Sequence, residues 1–272
     1  MSNALWLDPY LSDLATVSAS TTSGSFSASN VQNYEPTKVW RSTAGSASYL
    51  DFDFGSGVTV ACTAIALIGV NLGGSDTMSI FASNTSNASA RAGAAISTGN
   101  AYVGSKSTES AWPYHIAFRT WSNSTAYRYW SVTFPSVAGS NVEVGRAMLG
   151  VYLQPTLNLD VDGIGIEHVS ADVRDRTDYN KAMLSRRGNV ARRFNVQYSH
   201  ADRAELLRGF LRLSRLRGNG GDLLFSLDPA ETTYFPEYTM QCTIEQLSTP
   251  AVPYFNGSGQ MWALRSTLLE VV

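Results

Sequence analysis

The chain has 272 residues, 44% of them apolar and only 15% charged, against about 25% charged in an average soluble domain. The missing charge is replaced by 34 Ser and 22 Thr, which excludes a helix-rich protein, because surface helices are built from Glu, Lys, Arg and Ala. Its 30 aromatic residues exclude a disordered chain, and a net charge of −2 provides no basic field for a polyanion.

From the N-terminus, Met1 to Trp6 lacks a basic segment followed by an apolar one, so no signal peptide is visible and synthesis in a cytoplasm is the default expectation. Tyr49 to Phe54 alternates, which puts Asp51 and Asp53 on one face of a strand and the aromatics on the other. Gly55-Ser56-Gly57 is a turn. Ala64 to Val70 reads as a strand buried on both sides. The longest apolar run, Val58 to Val70, has 13 residues and falls short of the ~20 needed to span a bilayer. Thr77 to Ser83, Tyr129 to Phe134 and Val142 to Leu149 are further strands, and many strands at short spacing predict a sandwich or jelly roll.

A break is expected near Gln154-Pro155. Residues 1–155 hold 15 charged side chains and 40 Ser plus Thr; residues 156–272 hold 27 and 16. Beyond the break, Arg186 to Tyr198 reads as a turn feeding a strand. Ser199 to Arg217 reads as the one principal helix, with Ser199 as its cap and Asp202 three positions on. Leu206, Phe210 and Leu213 form its apolar stripe, with Arg208, Arg212 and Arg215 opposite. Gly218 to Gly221 ends it. Leu223 to Leu227, Thr239 to Leu247 and Met261 to Val272 read as strands. The fold class expected is therefore all-β with one principal helix: an N-terminal jelly-roll β-sandwich over residues 1–155 and a C-terminal β-sandwich with a packed α-helix over residues 156–272.

Catalytic chemistry is sparse. His115, His168 and His200 have no neighbouring ligand at metal spacing, and no nucleophile elbow, phosphate-binding glycine loop or Cys-x-x-Cys pair occurs. Asp160-Val161-Asp162-Gly163 reads as a turn, because the apolar Ile164 and Ile166 follow where a calcium loop needs oxygen ligands. Cys62 and Cys242 read as reduced buried thiols, with a disulfide between them as the alternative. No cofactor, no metal and no enzymatic activity are expected. Two groups remain. Trp112, Tyr114 and Trp121 lie in a stretch without strand pattern; they either offer flat faces to sugar rings or cover the end of the sandwich. Nine arginines and no lysine fall between Arg186 and Arg217. Arg186, Arg187, Arg192, Arg193, Arg208, Arg212 and Arg215, with Asp172, Asp175 and Asp178 as acidic counterparts, suit bidentate pairing across a subunit interface. The alternative for the helix arginines is a solvated face.

Two resemblances add to this reading. Phe26 to Val31, Thr37 to Ser42 and Tyr49 to Gly55, followed by Ser79 to Ser83 and Arg128 to Val132, resemble discoidin-type, galactose-binding-like domains over about residues 20–152. That resemblance implies a jelly roll, and a structural calcium near Asn30, Asn33 and Glu35. Ser185 to Gly188, Ala204 to Leu211, Gly220 to Phe225 and Leu268 to Val272 resemble, in order and spacing, the minor tail and distal tail proteins of long-tailed bacteriophages over about residues 160–272. Those families usually place the ring-forming domain first, whereas here it comes last. The two together imply a structural virion protein at the phage tail tip. It would form a hexameric ring with itself beside the tail tube, the tail hub or tip proteins and the tape-measure protein. Its accessory domain would be displayed, with a host surface glycan as candidate ligand. A carbohydrate-binding adhesin module without a ring is the alternative. No sequence-specific nucleic-acid binding and no membrane span are expected.

Overall fold

The computed structural model describes residues 2–35, 37–43, 48–72, 76–100, 115–134, 141–160, 163–170, 173–176, 182–186, 190–218, 220–231, 233–248, 251–256 and 259–271. In chain order its main strands are β1 (Leu5–Leu7), β2 (Thr16–Ala19), β3 (Ser48–Asp53), β4 (Ala64–Ile68), β5 (Thr77–Ser83), β6 (Ser97–Asn100), β7 (Ile116–Thr120), β8 (Tyr129–Phe134) and β9 (Arg146–Gly150). They continue with β10 (Tyr152–Leu153), β11 (Ile164–Ser170), β12 (Val173–Arg176), β13 (Ala182–Arg186), β14 (Val190–Asp202), β15 (Asp222–Ser226), β16 (Thr239–Leu247), β17 (Ala251–Asn256) and β18 (Gly259–Glu270). The helices are short: α1 (Tyr10–Leu14), α2 (Asn87–Ala92), α3 (Leu211–Arg217) and α4 (Phe235–Tyr238). The class is all-β, as the composition requires.

The chain divides into two compact units, Met1–Gln154 with Asp222–Met240, and Pro155–Gly221 with Gln241–Val272. The expectation that residues 156–272 form one continuous module is corrected here. β15 returns to the first unit because it pairs antiparallel with the N-terminal β1, Trp6 facing Phe225.

In unit 1 a five-stranded antiparallel sheet, β2-β3-β8-β5-β6, faces a three-stranded one, β9-β4-β7. Alternation decides which side chains meet. Leu50 and Phe52 of β3, Trp130 and Val132 of β8 and Ile80 of β5 point inward against Ile65 and Leu67 of β4 and Leu149 of β9. The other face of β4 carries Ala64, Ala66 and Ile68, which pack with Phe118, Met148, Leu5, Leu7, Leu224 and Phe235. β4 is thus covered on both sides, and this is why its sequence is apolar without interruption. Each large side chain so buried contributes about 1.5–3 kcal/mol. The expected strand over Val142 to Leu149 is broken at Gly145. Val144 pairs with Trp40, whereas Arg146 pairs with Ile68, so the chain changes sheets at that residue.

Unit 2 is built on one antiparallel sheet, β16-β18-β14-β11, with β17 alongside the first half of β18. Phe194, Val196 and Tyr198 of β14 and Leu264 and Leu268 of β18 share its buried face. Phe210 closes on Tyr198 with ring centroids 5.0 Å apart. β14 runs on to Asp202, so the helix starts later than the sequence suggests. Ser199 lies in the strand and donates its amide to Asp160 at 3.1 Å instead of capping. The cap is Asp202, whose carboxylate accepts from the Ala204 amide at 3.0 Å, while Glu205 accepts from the Asp202 amide at 3.3 Å. This is the reciprocal arrangement of a capping box, one turn downstream. A wide π-type turn over Glu205–Phe210 leads into α3, and Gly218 at φ +56° ends it.

Candidate functional site

The arginines expected at an interface separate into three groups. Arg192 lies on the buried face of β14 and is 5% exposed. Its amide and Nε donate to Glu270 at 2.9 and 3.0 Å. Arg193, on the opposite face, sits between Glu245 at 2.8 Å and Glu167 at 3.0 Å, and the hydrogen bonds it donates to these two carboxylates push its pKa up. Arg192 is corrected as an interface candidate: it is buried, its charge is satisfied inside the chain, and taking it from Glu270 is costly. Arg193 is paired within the chain at the surface, where such pairs hold weakly. Arg208, Arg212 and Arg215 form the second group. They line the exposed side of the helical segment, and none has an ion-pair partner among the described residues. Arg186 lies in β13, where its Cα faces Val173, and Asp175 lies in β12. Arg187, Asp172 and Asp178 fall outside the described residues.

The aromatic candidates are placed in part. Trp112 and Tyr114 fall outside the described residues. Trp121 is corrected: it is 8% exposed, its indole N–H donates to the Cys62 carbonyl at 2.6 Å, and its ring lies 5.9 Å from that of Trp130. It belongs to the sandwich core, which takes its face away from a sugar. The early-loop residues close their own turn. Asn30 donates to the Val39 carbonyl at 2.8 Å, Asn33 accepts from the Glu35 amide at 3.0 Å, and Glu35 pairs with Lys38 at 2.9 Å. Among the described residues no group of three His, Cys, Asp or Glu side chains is set to hold a metal ion. Cys62 and Cys242 are both buried and form no disulfide with each other, and burial pushes the Cys62 thiol well up.

Asp51 and Asp53 share the outer face of β3, as alternation requires. Asp51 accepts from the Ser131 hydroxyl at 2.6 Å and pairs with Arg91 of α2, whose guanidinium lies 3.8 Å above the Tyr49 ring. Arg128 grips Asp53 through two bonds of 2.7 and 2.9 Å and holds its carboxyl below the usual range. These carboxylates anchor α2 and the sheet rather than a ligand.

One buried cation gave no signal in the sequence. Arg146 is 1% exposed and donates to Asp222 at 2.8 and 3.1 Å and to Asp13 at 2.6 and 3.0 Å. Burial alone lowers its pKa, but the two carboxylates outweigh that and raise it.

These features define a β-sandwich protein whose ionisable groups are, in the main, structural. No protein-family profile matches the chain, and no curated protein matches it. Solved structures do. A family 32 carbohydrate-binding module of NanJ from C. perfringens, in complex with galactose, is 15% identical; the match covers 54% of this chain and 98% of that one, at a TM-score of 0.40. The lectin domain of Lectinolysin, complexed with Lewis B antigen, is 11% identical over 50% of this chain and 91% of that one, at 0.35. A GH29 fucosidase from Ruminococcus gnavus, in complex with fucose, is 12% identical over 53% of this chain and only 26% of its own, at 0.38.

Proposed function

We propose that this chain is a non-catalytic binding and assembly protein, and in its most specific form a structural protein of a bacteriophage tail tip of the distal-tail type. Unit 2 makes head-to-tail contacts with further copies, and unit 1 is displayed. The ring is hexameric, set between the tail tube and the hub, with the tape-measure protein as a further neighbour. The observation that carries this reading is the exposed row Arg208, Arg212 and Arg215, which has no carboxylate partner among the described residues, whereas Arg192 and Arg193 are paired within the chain. Like charges at such spacing destabilise a helix, so an acidic counterpart on another molecule relieves a cost already present. The order of strand, helix, glycine turn and apolar strand over residues 190–226 supports the same reading. A closed ring needs one face of the chain to complement another.

Light scattering of the purified protein and micrographs of the particles test the proposal. Closed rings that fall apart with added salt, and that fail to form in the triple Arg→Gln variant at 208, 212 and 215, are the expected result. A strict monomer at high concentration, missing from purified virions, refutes it.

A second reading makes unit 1 a glycan-binding module. Its five-plus-three sandwich and the aromatics Trp112 and Tyr114 favour it. A glycan array with the wild type and with Trp112→Ala decides: saturable binding lost in the variant supports a sugar site, and silence across the array rejects it.

A further inference from the structure

The solvent-facing side of the unit 2 sheet carries three polar rows across β11, β14, β18 and β16. Glu167, Arg193 and Glu245 form one row and are mutually paired. In the next, the Thr267 hydroxyl donates to the Asn195 side-chain oxygen at 2.9 Å. In the third, Arg265 Nε donates to the Gln197 side-chain oxygen at 3.0 Å and a second guanidinium nitrogen donates to the same atom. Gln197 in turn donates its amide to Ser199 at 3.3 Å. The second and third rows border a cavity of 290 Å³ whose other side is the backbone of Gly163 to Gly165. That volume is close to the lower bound of about 300 Å³ for small-molecule sites.

Two details give this cavity a chemical character. Its side-chain amide oxygens are both engaged: that of Asn195 accepts from Thr267, and that of Gln197 accepts twice from Arg265. Its donors are not, because the Asn195 amide nitrogen and Arg265 Nη1 have no acceptor among the described residues. The lateral bonds also fix the Asn195 amide and the guanidinium in one orientation, which removes ordering cost from ligand binding. The glycines differ from each other. A Cβ on Gly163 meets Asp160 at 2.9 Å and Gln197 at 3.0 Å, so packing requires glycine there. A Cβ on Gly165 meets nothing nearer than 3.6 Å, at Asn195. Neither sterics nor a left-handed backbone accounts for glycine at 165, and glycine inside a strand weakens it. What its absent side chain leaves is open space beside the Asn195 amide.

From this geometry we infer that the cavity between Gly165, Asn195 and Arg265 is a binding site for a carboxylate-bearing ligand. The carboxylate accepts from the Asn195 amide and from Arg265, and the rest of the ligand lies along the glycine backbone. Among the described residues, the acidic groups on the same sheet face and at its edge are engaged elsewhere: Asp160 accepts from Ser199, and Glu167 and Glu245 pair with Arg193. The carboxylate can belong to an acidic sugar or to a peptide C-terminus.

The test is an amide NMR titration of the full chain with sodium glucuronate and with acetyl-glycylglycine. Glucose and acetyl-glycylglycine amide serve as uncharged matches. Saturable shifts at Gly163, Gly165 and the Asn195 side-chain amide are expected with one or both acids and with neither neutral probe; which acid binds more tightly identifies the source. Arg265→Gln weakens binding about tenfold or more, the scale of a lost charged hydrogen bond. Gly165→Val fills the space and abolishes binding while keeping or raising the thermal midpoint, which a merely structural role for Gly165 does not predict. Equal responses to acid and neutral probes, unchanged binding in Arg265→Gln, or no saturation at all overturns the inference. None of these outcomes bears on ring formation.

Discussion

Asp222→Ala tests how the returning segment is tied into unit 1. The substitution removes one of the two carboxylates that hold Arg146, leaving a guanidinium that is 1% exposed with Asp13 as its remaining acid. Breaking a buried pair by deleting one partner costs about 3–5 kcal/mol, because the surviving charge stays desolvated. A domain of 150–250 residues loses roughly 2–4 °C of midpoint per kcal/mol, so the thermal midpoint of unit 1 should fall by roughly 6–20 °C. The assay is thermal unfolding followed by near-ultraviolet circular dichroism, which reads the buried tryptophans. The double variant Arg146→Met with Asp222→Leu separates lost pairing from lost packing. Without the cation no uncompensated charge is left in the interior, since the Asp13 carboxylate it releases is 26% exposed and open to water, so it should be more stable than Asp222→Ala alone. A midpoint for Asp222→Ala within 2 °C (about 1 kcal/mol) of the wild type refutes the reasoning.

Further outcomes follow from the same structure. A fragment ending at residue 155 lacks β15 and α4 and so leaves Leu5, Leu7 and Phe118 uncovered. It should aggregate, whereas a fusion of 1–154 to 222–240 should be monodisperse by size-exclusion chromatography. Trp121→Ala should lower stability by about 3–5 kcal/mol in denaturant unfolding, as for other large core truncations; a change below 1 kcal/mol would mean that the ring is not part of the core. Asp53 has its pKa lowered in the folded state by the Arg128 hydrogen bond, so it adds stability that is fully present above the unfolded value of about 3.9 and is lost as pH falls through the folded one. Urea midpoints at pH 5 and pH 3 should therefore converge in Arg128→Ala; an unchanged difference counts against the pairing. Asp228 titrates in the same sense. Burial raises its pKa, but the Ser2 hydroxyl and amide and the Ala230 amide together bring it down.

Local patterns carried much of the fold. Thr77–Ser83, Tyr129–Phe134 and Thr239–Leu247 are strands with the bounds their alternation suggests. Phe210 and Leu213 turn inward while Arg208, Arg212 and Arg215 turn out, as a helical stripe predicts. What escaped depended on distant partners. Leu5 to Leu7 is too short for any period to show, and its identity as a strand comes from residues more than 200 positions away. Arg146 and Arg192 look like surface residues by type. The carboxylates that permit their burial lie 76 and 78 positions off. For Trp121 the sequence leaves two readings open, a sugar contact and a cover of the sandwich, for a related reason. It follows β7 without a pattern of its own, and only the Cys62 carbonyl, 59 positions earlier, shows that its polar edge is satisfied inside. The cavity at Arg265 left one faint trace in the sequence, the two glycines flanking Ile164.

The pairing of β1 with β15 also sets a timetable. At roughly 5–20 residues per second, Trp6 is made roughly 10–45 s before Phe225, the residue opposite it in the register. For that interval the apolar strand Leu5-Trp6-Leu7 has at most β10 on one side (Trp6 facing Leu153) and an open edge on the side that β15 will fill, and the β4 face it packs on still lacks Leu224 and Phe235. Folding of the first unit therefore cannot finish in the order of synthesis. It closes only after the intervening 155–221 has left the ribosome, which makes the N-terminal strand the segment most in need of protection from aggregation while the protein is being made.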